Sequence, residues 1–174
     1  MQIHKYSFVL NGTPEEVWQL FWTREPRRRE SELATIEILH PGDEIGEGLV
    51  RHCWFKVPKI LLSGGVGQSW EWLTQVKPRE SWRYDAVGKP LWSWAVGLTS
   101  LEPLDDGRTR VHFEERYETF SPWWRRLGME RWVHEKLSRN NDTMLAALES
   151  GLSWIRSQNE STGTKTAGSA SNSA

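Results

Sequence analysis

Three polar side chains sit among apolar neighbours at a spacing that could do chemistry. Glu115 falls between Phe113 and Tyr117, Tyr84 between Trp82 and Ala86, and Arg51 between Leu49 and Cys53, each flanked at two residues' distance. Residues two apart share one face of a β-strand. A carboxyl on such an apolar face is desolvated, and its pKa rises unless a cation or hydrogen-bond donors oppose it, which suits proton exchange. Arg51 or Tyr84 nearby would orient or polarise a carbonyl; at the end of a sheet, Glu115 would simply be solvated by water. Other chemistries lack their residues. The histidines at 4, 40, 52, 112 and 134 form no HExxH pattern, and a single cysteine cannot build a typical zinc site, so no metal is expected. SGGVG at 63–67 lacks the GKS or GKT ending of a phosphate loop, and no GxSxG elbow occurs. Neither cofactor nor covalent acyl transfer is expected.

The faces of these strands can be followed through their hairpins, because odd loops preserve parity and even loops exchange it. On the strand from Gln68 to Val76 the apolar set is Trp70, Trp72 and Val76. A three-residue turn at Lys77 to Arg79 aligns these with Trp82, Tyr84 and Ala86, and a second at Gly88 to Pro90 continues to Trp92, Trp94, Val96 and Leu98. Asp106–Gly107, a two-residue hairpin signal, should exchange parity and bring Val111, Phe113, Glu115 and Tyr117 to the same face. The expectation is an inner aromatic wall of Trp70, Trp72, Trp82, Tyr84, Trp92, Trp94, Phe113 and Tyr117, with Glu115 set into it. The slightly more apolar odd set of the preceding strand, Leu49, Cys53, Phe55 and Val57, places Arg51 inside, where it could face Glu115 or bind an acidic ligand group. Asn141 lies in the apolar stripe of the last helix, as a ligand contact or as a solvent-leaning edge residue.

The elements that must position these residues follow from local signals. QIHKYSFVL reads as a strand; Thr13, Pro14 and Glu16 then supply a cap, a first-turn proline and a capping box for the helix EEVWQLFW. REPRRRE is a polar connection with a short second helical turn. A β meander follows, and SPWWRRLG opens a long final helix in which Gly128 interrupts the first turns. The 174 residues fit one domain, expected over 1–157, and the Ser/Thr/Gly/Ala-rich residues 158–174 read as a disordered tail. With 22 basic and 23 acidic residues the net charge is −1, which disfavours nucleic acid and anionic membranes. No apolar run suits stable membrane insertion, and a lone cysteine with no signal-like start points to the cytoplasm. Oligomeric state is left open.

The stretches SFVLNGTPEEVWQLF, GEGLVRHCWFKV, SWEWLTQVKPRESWRYDAVG and NNDTMLAALESGL, within residues 1–156, make the chain resemble the START-like or SRPBCC superfamily, in the polyketide cyclase/dehydrase-like group related to birch-pollen allergens. The resemblance implies an α+β helix-grip fold: a curved antiparallel sheet of about seven strands around a long C-terminal helix, with short helices after the first strand. It also implies a cavity between sheet and helix for a lipid-like or polycyclic molecule, which the indoles would line. A binding protein is the leading expectation. The alternatives are a cyclase or dehydratase using Glu115 as its acid, and an interaction or chaperone-cofactor-like protein with a filled cavity and an exposed apolar patch.

Overall fold

The structure is a computed structural model that describes residues 2–22, 28–30, 34–57, 59, 64–89, 92–119, 123, 126–129, 131–132, 145–146 and 148–157. After strand β1 (Gln2–Leu10), Thr13 and Glu16 cap the helix α1 (Pro14–Trp22) reciprocally: Thr13 N donates to Glu16 Oε2 at 2.8 Å, and Glu16 N to Thr13 Oγ1 at 3.3 Å. Seven further strands follow: β2 (Arg28–Glu30), β3 (Ala34–His40), β4 (Val50–Lys56), β5 (Val66–Lys77), β6 (Ser81–Lys89), β7 (Trp92–Pro103) and β8 (Thr109–Thr119). They form one antiparallel sheet in the order β1-β8-β7-β6-β5-β4-β3-β2, so the first strand returns to pair with the last. The expected seven strands become eight because Arg28–Glu30, within the stretch read from sequence as a polar connection with a short helical turn, pairs with β3. Residues 148–157 form the end of the C-terminal helix, α2. Trp123 and Arg126 are helical, and Leu127–Met129 turn at Gly128 with φ of +64°, the interruption expected there.

The helix grip is held at one corner. Asn11 N donates to Glu149 of α2 at 2.9 Å, and Arg156 binds Glu16 at 2.7 Å and the Asn11 carbonyl. Thr109 of β8 donates its hydroxyl to the Gly12 carbonyl at 2.7 Å. Leu20 of α1 approaches so closely that a Cβ on Gly151 would lie 2.6 Å from it. Under this corner α1 drives its apolar face into the sheet: Trp18, Phe21 and Trp22 pack on Trp82, with ring centroids 5.1 to 5.7 Å away, and Phe21 meets Phe113. Leu10, Val17, Val111 and Leu152 are almost wholly buried there.

Two irregularities decide which residues reach the inner face. At Gln75 the backbone enters the left-handed region, with φ of +53°, and the β5–β6 register shifts between Thr74 and Lys77. The Glu47 carboxylate holds this bulge by accepting from Gln75 N at 3.2 Å and Val76 N at 2.8 Å. A second shift lies between Ala86 and Gly88 on the β6–β7 pair. A bulge's extra residue exchanges the faces beyond it.

Candidate functional site

Tyr84 is the hinge of the site. Its strand partner on β7 is Gly97, and the ring lies across that glycine: a Cβ there would be 2.1 Å from Tyr84 Cε1. Crossing β7 in this way, the hydroxyl donates to Glu115 Oε1 on β8. Any side chain at position 97 would block the reach. In register with Glu115 on the next strand is His4, whose ring lies 4.7 Å from that of Tyr6; Tyr6 in turn stacks on Phe113 at 5.0 Å.

On the other side of Tyr84, Arg51 of β4 pairs with Glu71 of β5. Both Nε and a terminal nitrogen of Arg51 lie 2.7 Å from Glu71 Oε2, and Ser69 Oγ donates to Glu71 Oε1 at 2.7 Å. Cys53 is buried beside them, opposite Ser69. The inner face therefore carries a polar row across the sheet, Arg51–Glu71 and then Tyr84–Glu115, bordered by aromatic rings.

The electrostatics follow from burial. Desolvation raises the pKa of Glu115, against the pull of the Tyr84 hydrogen bond and with help from the Glu71 charge. Burial and Glu115 together lift the Tyr84 and Tyr6 hydroxyls well above the ordinary tyrosine range. Burial works against the Arg51 charge, but Glu71, with Cys53 and Tyr84, outweighs it and holds the guanidinium above its usual value. Burial, then Glu71, pushes the Cys53 thiol up to about 12, which makes it a poor nucleophile. Glu115 accepts from Tyr84 on Oε1, which leaves its other oxygen to exchange a proton with a ligand.

Of the aromatic wall, Trp82, Tyr84, Phe113 and Tyr117 are inward and at least partly buried, whereas Trp70, Trp72 and Trp94 are not on it. The Gln75 bulge turns Ser69, Glu71 and Leu73 inward and sends Trp70 and Trp72 out, 36% and 39% exposed. The shift beyond Ala86 does the same on β7: Ala95, Gly97, Thr99 and Leu101 are buried, while Trp94 and Leu98 are exposed. The β7–β8 loop is also longer than Asp106–Gly107: Leu104 N donates to the Arg108 carbonyl and Pro103 pairs with Thr109, so parity is preserved rather than exchanged. The two departures cancel, and Glu115 still faces inward. Arg51 is inward as expected, but its partner is Glu71 rather than Glu115. The Trp92 side chain and Asn141 lie outside the described residues.

Sequence reading missed Glu71, Ser69 and Gly97. The alternation Ser69, Glu71, Leu73 is a valid inner set, but assigning the inside to the more apolar parity favoured its tryptophan neighbours. Outside, His52 lies between Trp54 at 3.7 Å and Trp70 at 4.2 Å, and Val87 and Leu98 extend the exposed apolar surface. Near β1, β7 and β8 this outer face has an open groove of about 380 Å³ bordered by Lys5, Leu98, His112 and Glu114, where Lys5 is already paired with Glu114 at 2.7 Å. Among the described residues no three metal-binding side chains converge, and no helix is long and apolar enough to cross a membrane.

No family model and no curated protein matches the chain. Solved structures do. A protein from Thermus thermophilus is similar with a TM-score of 0.65 at 17% identity, covering 88% of this chain and 99% of that one. The Zhui aromatase/cyclase of Streptomyces sp. R1128 is similar at 0.63 and 15%, covering 87% and 93%. A START superfamily protein from Mycobacterium smegmatis is similar at 0.58 and 11%, covering 85% and 97%. At such identities the likeness is one of fold, and it agrees with the order of strands and the closing helix: the chain has the START-like helix-grip fold.

Proposed function

We propose that the protein binds a hydrophobic small molecule between the inner face of the sheet and the C-terminal helix, and that the Tyr84–Glu115 pair is its polar anchor. The observation that carries this reading is the passage of Tyr84 over Gly97 to Glu115, which uses a glycine and a buried hydroxyl to hold a carboxyl on the inner face beside aromatic rings. A merely structural carboxyl would be better satisfied at the surface. The test is mass spectrometry of the purified protein under native and then denaturing conditions. A discrete small molecule released with loss of the fold supports the reading. An empty protein that also takes up none of a panel of apolar compounds refutes it.

A second reading, a cyclase- or dehydratase-like enzyme, is favoured by the same pair, since a neutral carboxyl beside a phenol can give and take a proton at a ligand carbonyl. Under it, Glu115→Gln abolishes turnover of a bound ligand while affinity is retained; equal loss of both removes the acid/base role. The exposed outer tryptophans favour a third reading, an interaction surface on the opposite face.

A further inference from the structure

Arg51 looks like an anchor for a ligand carboxylate, yet its surroundings argue otherwise. Its guanidinium has two nitrogens on Glu71 Oε2, and the other carboxylate oxygen is fixed by Ser69. Both side chains of the pair are largely shielded, at 19% and 13% exposure. Withdrawing one partner of such a pair leaves an uncompensated charge in a poorly solvated place, which is costly. An incoming carboxylate would have to displace Glu71 while Glu71 stayed on the same face, placing two carboxylates around one guanidinium. An incoming ammonium would need Glu115 ionised, against the desolvation that favours its proton. An uncharged oxygen meets neither cost, and it can lie against the Glu115 carboxyl that Tyr84 holds in place.

We propose that Glu71 determines the ligand class: by occupying the inward guanidinium of Arg51 it withholds that cation from anions, so the site takes an uncharged molecule bearing a carbonyl or hydroxyl oxygen. This rests on the reading that the inner face binds a hydrophobic ligand. Glu71 is a specificity residue rather than an anchor, and its removal confers a new preference instead of abolishing binding.

Isothermal titration calorimetry with three matched probes, naphthyl methyl ketone, naphthoate and naphthylmethylammonium, tests it on the full chain. The ketone should bind wild type tightest, with naphthoate at least about tenfold weaker. Glu71→Gln should raise naphthoate affinity by about tenfold with little change for the ketone, and adding Arg51→Gln should remove the gain. Wild type that prefers naphthoate or the ammonium overturns the inference while leaving the binding reading intact, as does a folded Glu71→Gln variant with unchanged naphthoate affinity. Should that variant fail to fold, the wild-type ranking alone decides. Binding of none of the three overturns the binding reading and this inference with it.

Discussion

At Gly97 a single methyl group should be felt across three strands. Gly97→Ala would place a Cβ inside the Tyr84 ring, so the tyrosine must leave its groove and release Glu115. We expect about 1–3 kcal/mol of destabilisation, as for other overpacked sites, measured by urea unfolding. Glu115 has a pH signature of its own. Its raised pKa means that the folded state holds a proton the unfolded chain loses above about 4.5, so stability falls as pH rises from there through the folded value. Glu115→Gln should flatten this dependence in denaturation curves taken across that range; an unchanged slope would assign it elsewhere. The groups facing Glu115 are Tyr84, Tyr6, Glu71 and His4, and among them Glu71 acts through its charge.

In the corner joining α1 to α2, the Glu16 carboxylate has two duties. Glu16 closes its own capping box and also receives Arg156, whose hydrogen bond holds its pKa at about 2. A depressed carboxylate stabilises above its unfolded value and stops doing so as pH falls through the folded one, so this contribution should fade between about 4.5 and 2. Glu16→Gln should lose it at all pH values, seen as a smaller acid-induced drop in melting temperature. The capping box was legible in TPEE because its partners are three residues apart. The Gln75 bulge was not, because Glu47 holds it from 28 residues upstream and nothing in LTQVK announces it. Glu47→Ala, which leaves the Val76 N–H without its acceptor, should cost about 1–3 kcal/mol. The meander, α1 and the inward facing of Arg51 could thus be read from pattern, while that of Glu115 came out right only because two parity errors cancelled. The sides of Trp70, Trp72 and Trp94 could not, since each depends on an irregularity fixed by distant contacts.

Among the described residues the indoles of the sheet divide between two faces with different jobs. Trp82, 3% exposed and surrounded by Trp18, Phe21 and Trp22, is core, and Trp82→Ala should cost about 3–5 kcal/mol. Trp70→Ser and Trp72→Thr should each change stability far less and leave ligand affinity in calorimetry unaltered; a lost ligand would return them to the site. The same division governs what light reports. Outer indoles such as Trp70, Trp72 and Trp94 face water and emit to the red, where an aqueous quencher such as iodide reaches them, while Trp82 emits from a dry cluster and exchanges excitation with Trp18 and Trp22, whose ring centroids lie 5.6 and 5.7 Å away. Total emission is therefore weighted toward the exposed indoles, Trp123 and Trp154 of the helical segments as well as those of the outer face, and a ligand on the inner face could leave the bulk spectrum almost unmoved. Binding at the inner face should be followed through the unquenched, blue fraction that survives in iodide.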